Sequence, residues 1–221
     1  MKKIKIGIVG EHPQHDADAL RILLAPMACE GVQFKIITKR LRGSDFDDEQ
    51  NGGASKRFLK ILETEYADES LNMVIFIRDA DTILTDSIRA YQHKRDAWFK
   101  QANKTIHGKG IFFLAIYEME ALILSDSDTL KKLYGIPVKM GNNPMFQANA
   151  KEHLQRLTDK SKRGRYEENH APEVFKSLNF KAIYENHKGE RSFQAFADEL
   201  VEKKILNEKK IRTPSILGIK N

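Results

Sequence analysis

Three groups of carboxylates stand at comparable places in this sequence, each just after an apolar run. Glu11 follows KIGIV, Asp79 and Asp81 lie in RDADT after NMVIFI, and Glu118 and Glu120 lie in IYEMEA after GIFFLA. Carboxylates brought together repel, and burying them unpaired is costly. A divalent cation resolves both problems. Oxygen donors without a His–Cys pattern favour Mg2+ or Mn2+ over zinc. The spacing of Asp79 and Asp81 suits such an ion, because alternate residues of an extended segment point the same way. Glu118 and Glu120 read as the start of a helix, where positions two apart diverge by about 200°. One of them is therefore expected to face inward. The competing reading is structural: acids after strands also cap helices, as Asp86 is placed to do.

Whether these carboxylates meet depends on the elements that carry them. Lys5–Val9, Val32–Lys39, Asn72–Arg78 and Gly110–Ile116 read as strands. Asp16–Cys29, Ala54–Tyr66, Asp86–Ala102 and Glu118–Leu124 have helical spacing, and residues 43–53 (GSDFDDEQNGG) read as a turn-rich, acid-rich loop. The order β-α-β-α-β-α-β-α predicts an α/β fold with a mostly parallel four-stranded sheet flanked by helices. In such a sheet the carboxyl ends of the strands share one edge, where ligands bind. All three acidic groups fall on it. A boundary near Asp126 divides an α/β domain, 1–126, from a mostly helical extension, 127–221. Helical patterns there cover Thr129–Tyr134, Phe146–Leu157, Pro172–Leu178 and Phe193–Lys203, and Lys204–Asn221 reads as loosely held.

The 221 residues carry 37 Lys and Arg against 31 Asp and Glu, a net charge of +6. That balance permits a nucleic-acid partner without demanding one. Lys160–Arg165 (KSKRGR) places Lys160, Lys162, Arg163 and Arg165 beside Tyr166, a pattern that can contact phosphates or stack on a base, or form a solvated loop. Arg78, directly before Asp79, can meet a substrate phosphate or pair with a neighbouring carboxylate. His12 and His15 follow Glu11. Cys29, the single cysteine, reads as core filler and excludes an intrachain disulfide. The N-terminal apolar run is too short for a signal peptide or a membrane span, so a cytoplasmic protein with no membrane partner is expected.

At the acidic positions the sequence resembles the Toprim family, the catalytic domain shared by topoisomerases, primases and OLD-type nucleases. That pattern is a Glu just after the first strand and a D-x-D just after a later one. Glu11 in GIVGEHPQHDADAL and Asp79–Asp81 in VIFIRDADT match both. The match is closer to a branch of small standalone Toprim-like proteins often encoded beside an ATPase in bacterial defence loci. EMEALILSD (Glu118, Glu120, Asp126), KSKRGRY and SFQAF are similar to segments of that branch. The resemblance covers residues 4–126 well and the remainder loosely. Related nucleases often carry a second acid four residues after the first Glu. Here that position is His15, with Asp16 or Asp18 as substitutes if the turn shifts, which leaves one or two ions open.

The resemblance implies a Toprim-like (Rossmann-like) domain and phosphoryl transfer on nucleic acid. Glu11, Asp79 and Asp81 would be catalytic, and with Glu118 or Glu120 they would hold Mg2+ or Mn2+. Glu11 would hold the ion or act as a general acid/base. The chain lacks the accessory domains of a topoisomerase or primase, and no nucleophile stands out among Tyr91, Tyr134 and Tyr166. A nuclease acting on tRNA or DNA, in anti-phage defence and controlled by a partner ATPase, is the expectation. The alternative is a non-catalytic module that binds the ATPase or a nucleic acid. A flavodoxin-like nucleotide binder is disfavoured, because VGEHPQH lacks G-x-G-x-x-G and no Walker motif is present. A homodimer is left open.

Overall fold

Four short runs rich in β-branched residues build the centre of the molecule. The computed structural model describes residues 3–48, 53–79, 85–115, 118–136, 144, 147 and 149–212, with the backbone alone at 14 and 85–92. The strands are β1 (Ile4–Val9), β2 (Val32–Ile36), β3 (Met73–Asp79) and β4 (Gly110–Ala115). They form one four-stranded sheet in the order β2-β1-β3-β4, parallel at every pairing. Helices α1 (Asp18–Leu24), α2 (Lys56–Asp68) and α3 (Thr85–Thr105) connect them. The expected α/β, Rossmann-like arrangement is therefore the one found. The chain winds outward from β1 to β2, then crosses back to β3 and β4. The winding reverses between β1 and β3, and a crevice opens at such a point at the carboxyl edge.

Alternation along each strand feeds two cores. Val74 and Phe76 join Phe58 and Leu62 of α2 and Trp98 and Ala102 of α3 on one face. Ile75 and Ile77 join Ile6, Ile8 and the α1 leucines on the other. Gly7 sits where Leu71, Ile37 and Val74 close over the strand; a Cβ there would stand 2.8 Å from Leu71 Cδ1.

The second half of the chain is helical: α4 (Glu120–Leu124), α5 (Ser127–Tyr134), α6 (Ala150–Thr158), α7 (Ala171–Ser177), α8 (Phe180–Asn186), α9 (Phe193–Glu202) and α10 (Glu208–Arg212). Of these, α9 packs onto β4 of the sheet, and α6, α7 and α8 pack against α4, α1 and α9. Phe196 stacks on Phe113 of β4 at 4.8 Å, and Phe193 meets Phe180 at 5.2 Å, so the SFQAF aromatics are core. Arg191 holds Asp96 of α3 through two bonds of 2.9 Å around the β4 edge. Residues 204–212 are not loosely held as the weak periodicity suggested. Ile205, Leu206 and Ile211 are buried, and Lys210 Nζ donates to the carbonyls of Pro26 and Ala28. Residues 213–221 lie outside the described residues.

Two elements differ from their sequence patterns. The first helix is cut to Asp18–Leu24 by a wide turn at Pro13–Ala17 and by Pro26, whose missing N–H converts the end to a 3-10 turn. Helix α8, seven residues long, was not read from the sequence, although Asn179 caps it by accepting from Lys181 N. Cys29 is half-buried. Among the described residues no helix is long and apolar enough to cross a membrane.

If both halves share one core, emptying it from the C-terminal side unfolds everything at once. Phe193→Ala is expected to cost about 3–5 kcal/mol. Urea unfolding followed by far-UV circular dichroism and by Trp98 fluorescence, which reports the opposite face of the sheet, should give coincident transitions. Two separated transitions would refute a shared core.

Candidate functional site

The crevice at the β1–β3 switch point holds a pocket of about 140 Å³. Glu11, Asp16, Asp79, Glu118, Glu120 and Glu168 all line it, and its other side chains are His12, His15 and Lys151. The structure thus brings together four of the five sequence-derived ligands. Asp81 lies outside the described residues. Both Glu118 and Glu120 reach the pocket, where only one was expected. Both line it although Met119 between them already has helical backbone and Ala121 N donates to Glu118 O.

The loop after β1 is shaped to deliver acids. Gly10 has no Cβ, and one built there would stand 3.0 Å from Asp16 Cβ and 3.1 Å from Ala17 N. The turn Pro13–Ala17 therefore folds directly back over the strand end. It is widened, with Asp18 N donating to Pro13 O, five residues back. This register turns Asp16 into the pocket, where Asp16 Oδ2 accepts from His12 N at 3.0 Å. Asp18 instead pairs with Arg21 at 2.7 Å. Of Asp16 and Asp18, Asp16 is the one that lines the pocket.

Behind the pocket lies a layer of buried arginine. Arg78 is 1% exposed. Its Nε pairs with Glu11 Oε1, and its Nη2 donates to Asp47 Oδ2 at 2.9 Å. The guanidinium lies 4.7 Å over the Trp98 ring and 5.5 Å from that of Phe46. Arg95 joins from α3, with Nη1 at 3.0 Å from Asp47 Oδ2, Nη2 at 3.5 Å from Glu11 Oε1 and Nε donating to the Asp79 carbonyl. Arg78 therefore takes the carboxylate-pairing role and is not presented to a phosphate. Sequence reasoning missed Asp47, inside a loop read only as turn-rich, and Arg95. The usable signal for Arg95 was its i, i+3, i+7 spacing with Trp98 and Ala102.

The second half of the chain closes the other wall. Glu118 Oε2 accepts from the backbone N of Lys151, in the first turn of α6, at 2.6 Å. Lys151 Nζ binds Glu168 Oε1 at 2.8 Å, and Glu168 Oε2 lies 3.7 Å from His15 Nδ1. The hydrogen bond from Lys151 holds the Glu168 carboxyl below the usual range. Tyr166 is fully buried and donates its hydroxyl to Glu120 Oε1 at 3.1 Å. Burial first, and then Glu120 beside it, keep Tyr166 well above the ordinary tyrosine range, so it is a fixed proton donor and no nucleophile. Its ring is not available to stack on a base. Nothing in the sequence linked Lys151 or Glu168 to Glu118 and Glu120. Asp126 is structural, capping α5 through Thr129 N and accepting from Asn179 N.

The basic turn leads into this wall. Lys160 and Lys162 are exposed. Arg163 pairs with Glu173 at 2.8 Å and lies over the Tyr134 ring, while Arg165 donates to Gln155 at 2.7 Å. Half of the basic cluster is thus already engaged within the protein.

Burial leaves the pocket short of positive charge. Asp16 is pushed up to about 7 by burial and by Glu11 and Glu168, against the bond from His12 N. Glu120 is pushed up to about 7 by burial and by Glu118, against the Tyr166 bond. The donors, carboxylate oxygens with two imidazoles, match a hard divalent cation. Among the described residues, however, no three His, Cys, Asp or Glu side chains stand close enough together to hold an ion as they are. No protein-family model, no curated protein and no solved structure matches the chain.

The raised carboxyls make stability fall with pH. Asp16 and Glu120 protonate near 7 in the fold but at about 3.8 and 4.5 otherwise, so the native state holds more protons across that window. Stability is lost as pH rises from about 4 to about 7 and levels above it. Glu120→Gln removes one such group. Its urea stability relative to the unsubstituted protein should improve from pH 5 to pH 8. A difference independent of pH would rule out the buried, raised carboxyl.

Proposed function

We propose that the chain is a Toprim-type, divalent-metal-dependent nuclease that hydrolyses phosphodiester bonds in tRNA or DNA. The observation that carries this reading is the convergence of six carboxylates on one pocket at the β1–β3 switch point. Glu11, Asp79, Asp81 and Glu120 would hold Mg2+ or Mn2+, with Glu118 beside them. A bound ion would offset charge on the phosphate and lower the pKa of a water nucleophile. Glu11 is oriented by Arg78 and Arg95. Asp16, close to half-protonated at neutral pH, is suited to move a proton there. Exposed Lys160 and Lys162 would meet the nucleic-acid backbone. The resemblance further makes the protein a cytoplasmic anti-phage effector held in check by a partner ATPase.

A second reading is a non-catalytic module that binds such an ATPase or a nucleic acid. It is favoured by the pairing of Glu11 with two arginines and by the carboxylates standing apart. Incubation of labelled DNA and tRNA with Mg2+ or Mn2+ separates the two. Cleavage by the protein, reduced on the order of 100-fold in Asp79→Asn and in Glu120→Gln, is the expected result. Binding of either nucleic acid without any cleavage would leave only the module.

A further inference from the structure

We infer that Tyr166 is a positioning residue of the acidic pocket, its hydroxyl holding the Glu120 carboxylate in the pocket lining and limiting the torsions an ion would have to order. This rests on the ion-binding reading above and adds to it a residue from the other half of the chain.

Tyr166 is 0% exposed, so its hydroxyl has no bulk water to serve, and it donates to Glu120 Oε1 at 3.1 Å. The tyrosine itself is anchored. Its backbone N donates to Thr158 Oγ1 at 2.7 Å, and that hydroxyl donates to Leu154 O at 2.9 Å, on α6. Upstream, Ser161 Oγ closes the turn on Gly164 O at 2.8 Å. His170 meets the ring edge-on at 6.2 Å. The donor is therefore fixed with respect to α6. The same helix holds Glu118 through Lys151 N, so the two glutamates are held by different donors and do not compete for one.

A glutamate carries three rotatable torsions, and an ion that must order them loses that entropy from its affinity. Partners that orient ligands in advance matter for this reason, and losing one typically weakens metal binding by about 10–100-fold. If Tyr166 were core packing with a satisfied polar tip, phenylalanine would serve as well.

Titration of the full chain with Mn2+, followed by calorimetry and by the electron paramagnetic resonance of free Mn2+, tests this. Tyr166→Phe should weaken Mn2+ by about 10-fold or more. Tyr134→Phe, at a buried tyrosine whose hydroxyl makes no hydrogen bond among the described residues, should keep the original affinity. In a Glu120→Gln background, adding Tyr166→Phe should change nothing further, because the hydroxyl acts through that carboxylate. Unchanged affinity in Tyr166→Phe overturns the inference while leaving the ion site standing, as does an equal loss in Tyr134→Phe. No Mn2+ binding by the unsubstituted protein overturns both the site and the inference. Should Tyr166→Phe fail to fold, Thr158→Val, which releases the Tyr166 backbone anchor, should also weaken Mn2+, and unchanged affinity there refutes the role.

Discussion

The Arg78 guanidinium, buried where β3 ends, is the interaction on which the arrangement of the carboxyl edge depends. A charge taken out of water needs partners on its own scale. Arg78 finds them in Glu11, after β1, and in Asp47, on the loop after β2, with Trp98 and Phe46 against its faces. Arg95 repeats both pairings from α3 and adds a bond to the Asp79 carbonyl. Three connections of the sheet are thereby fixed to one another. Removing one partner of such a group leaves the others buried and uncompensated, a loss of about 3–5 kcal/mol in comparable cases. The pairing holds together because every member is present.

That network also divides the acids by task. Glu11 and Asp47 face cations, and Glu118 and Glu168 are tied to Lys151. Asp16 accepts from the backbone N of His12 and Glu120 from a backbone N–H and the Tyr166 hydroxyl, which do not offset their burial. The unbalanced charge thus concentrates on two carboxyls from opposite walls of the pocket. A core selected for stability alone would have no use for it, since apolar residues of similar volume would serve better. Uncompensated acids at a sheet's switch point are what a site for a cation or a proton transfer requires.

The sheet was legible because its strands are continuous apolar runs and its helices repeat at helical spacing. Parallel order then put Glu11, Asp79, Glu118 and Glu120 on one edge by geometry alone. What escaped was set by tertiary contact. Arg78 read equally well as a phosphate ligand or an ion-pair partner, and the positions of Glu11 and of Asp47, 31 residues earlier, decide between them. The inward turn of Asp16 rather than Asp18 depends on one widened turn behind Gly10, which no periodicity encodes. Glu118 was misjudged because its carboxylate is held by the backbone N of Lys151, 33 residues later, a tertiary contact that no periodicity encodes.

The pocket is finally a product of both halves of the chain. The β1, β2 and β3 ends with Arg95 of α3 supply one wall and its arginine layer, and α6 with the segment that follows supplies the donors for Glu118 and Glu120 and the carboxylate beside His15. Those donors hang on helices that share the apolar face of the sheet with Phe113 and α1. Hydrophobic packing on that face is non-directional and tolerant, whereas the bonds it positions are short and specific. The same burial that stabilises the second half of the chain therefore sets the geometry of the carboxylates. A change in how α6 seats against α4 would reach the pocket through Lys151 and Tyr166 before it reached any residue of the β1–β3 edge.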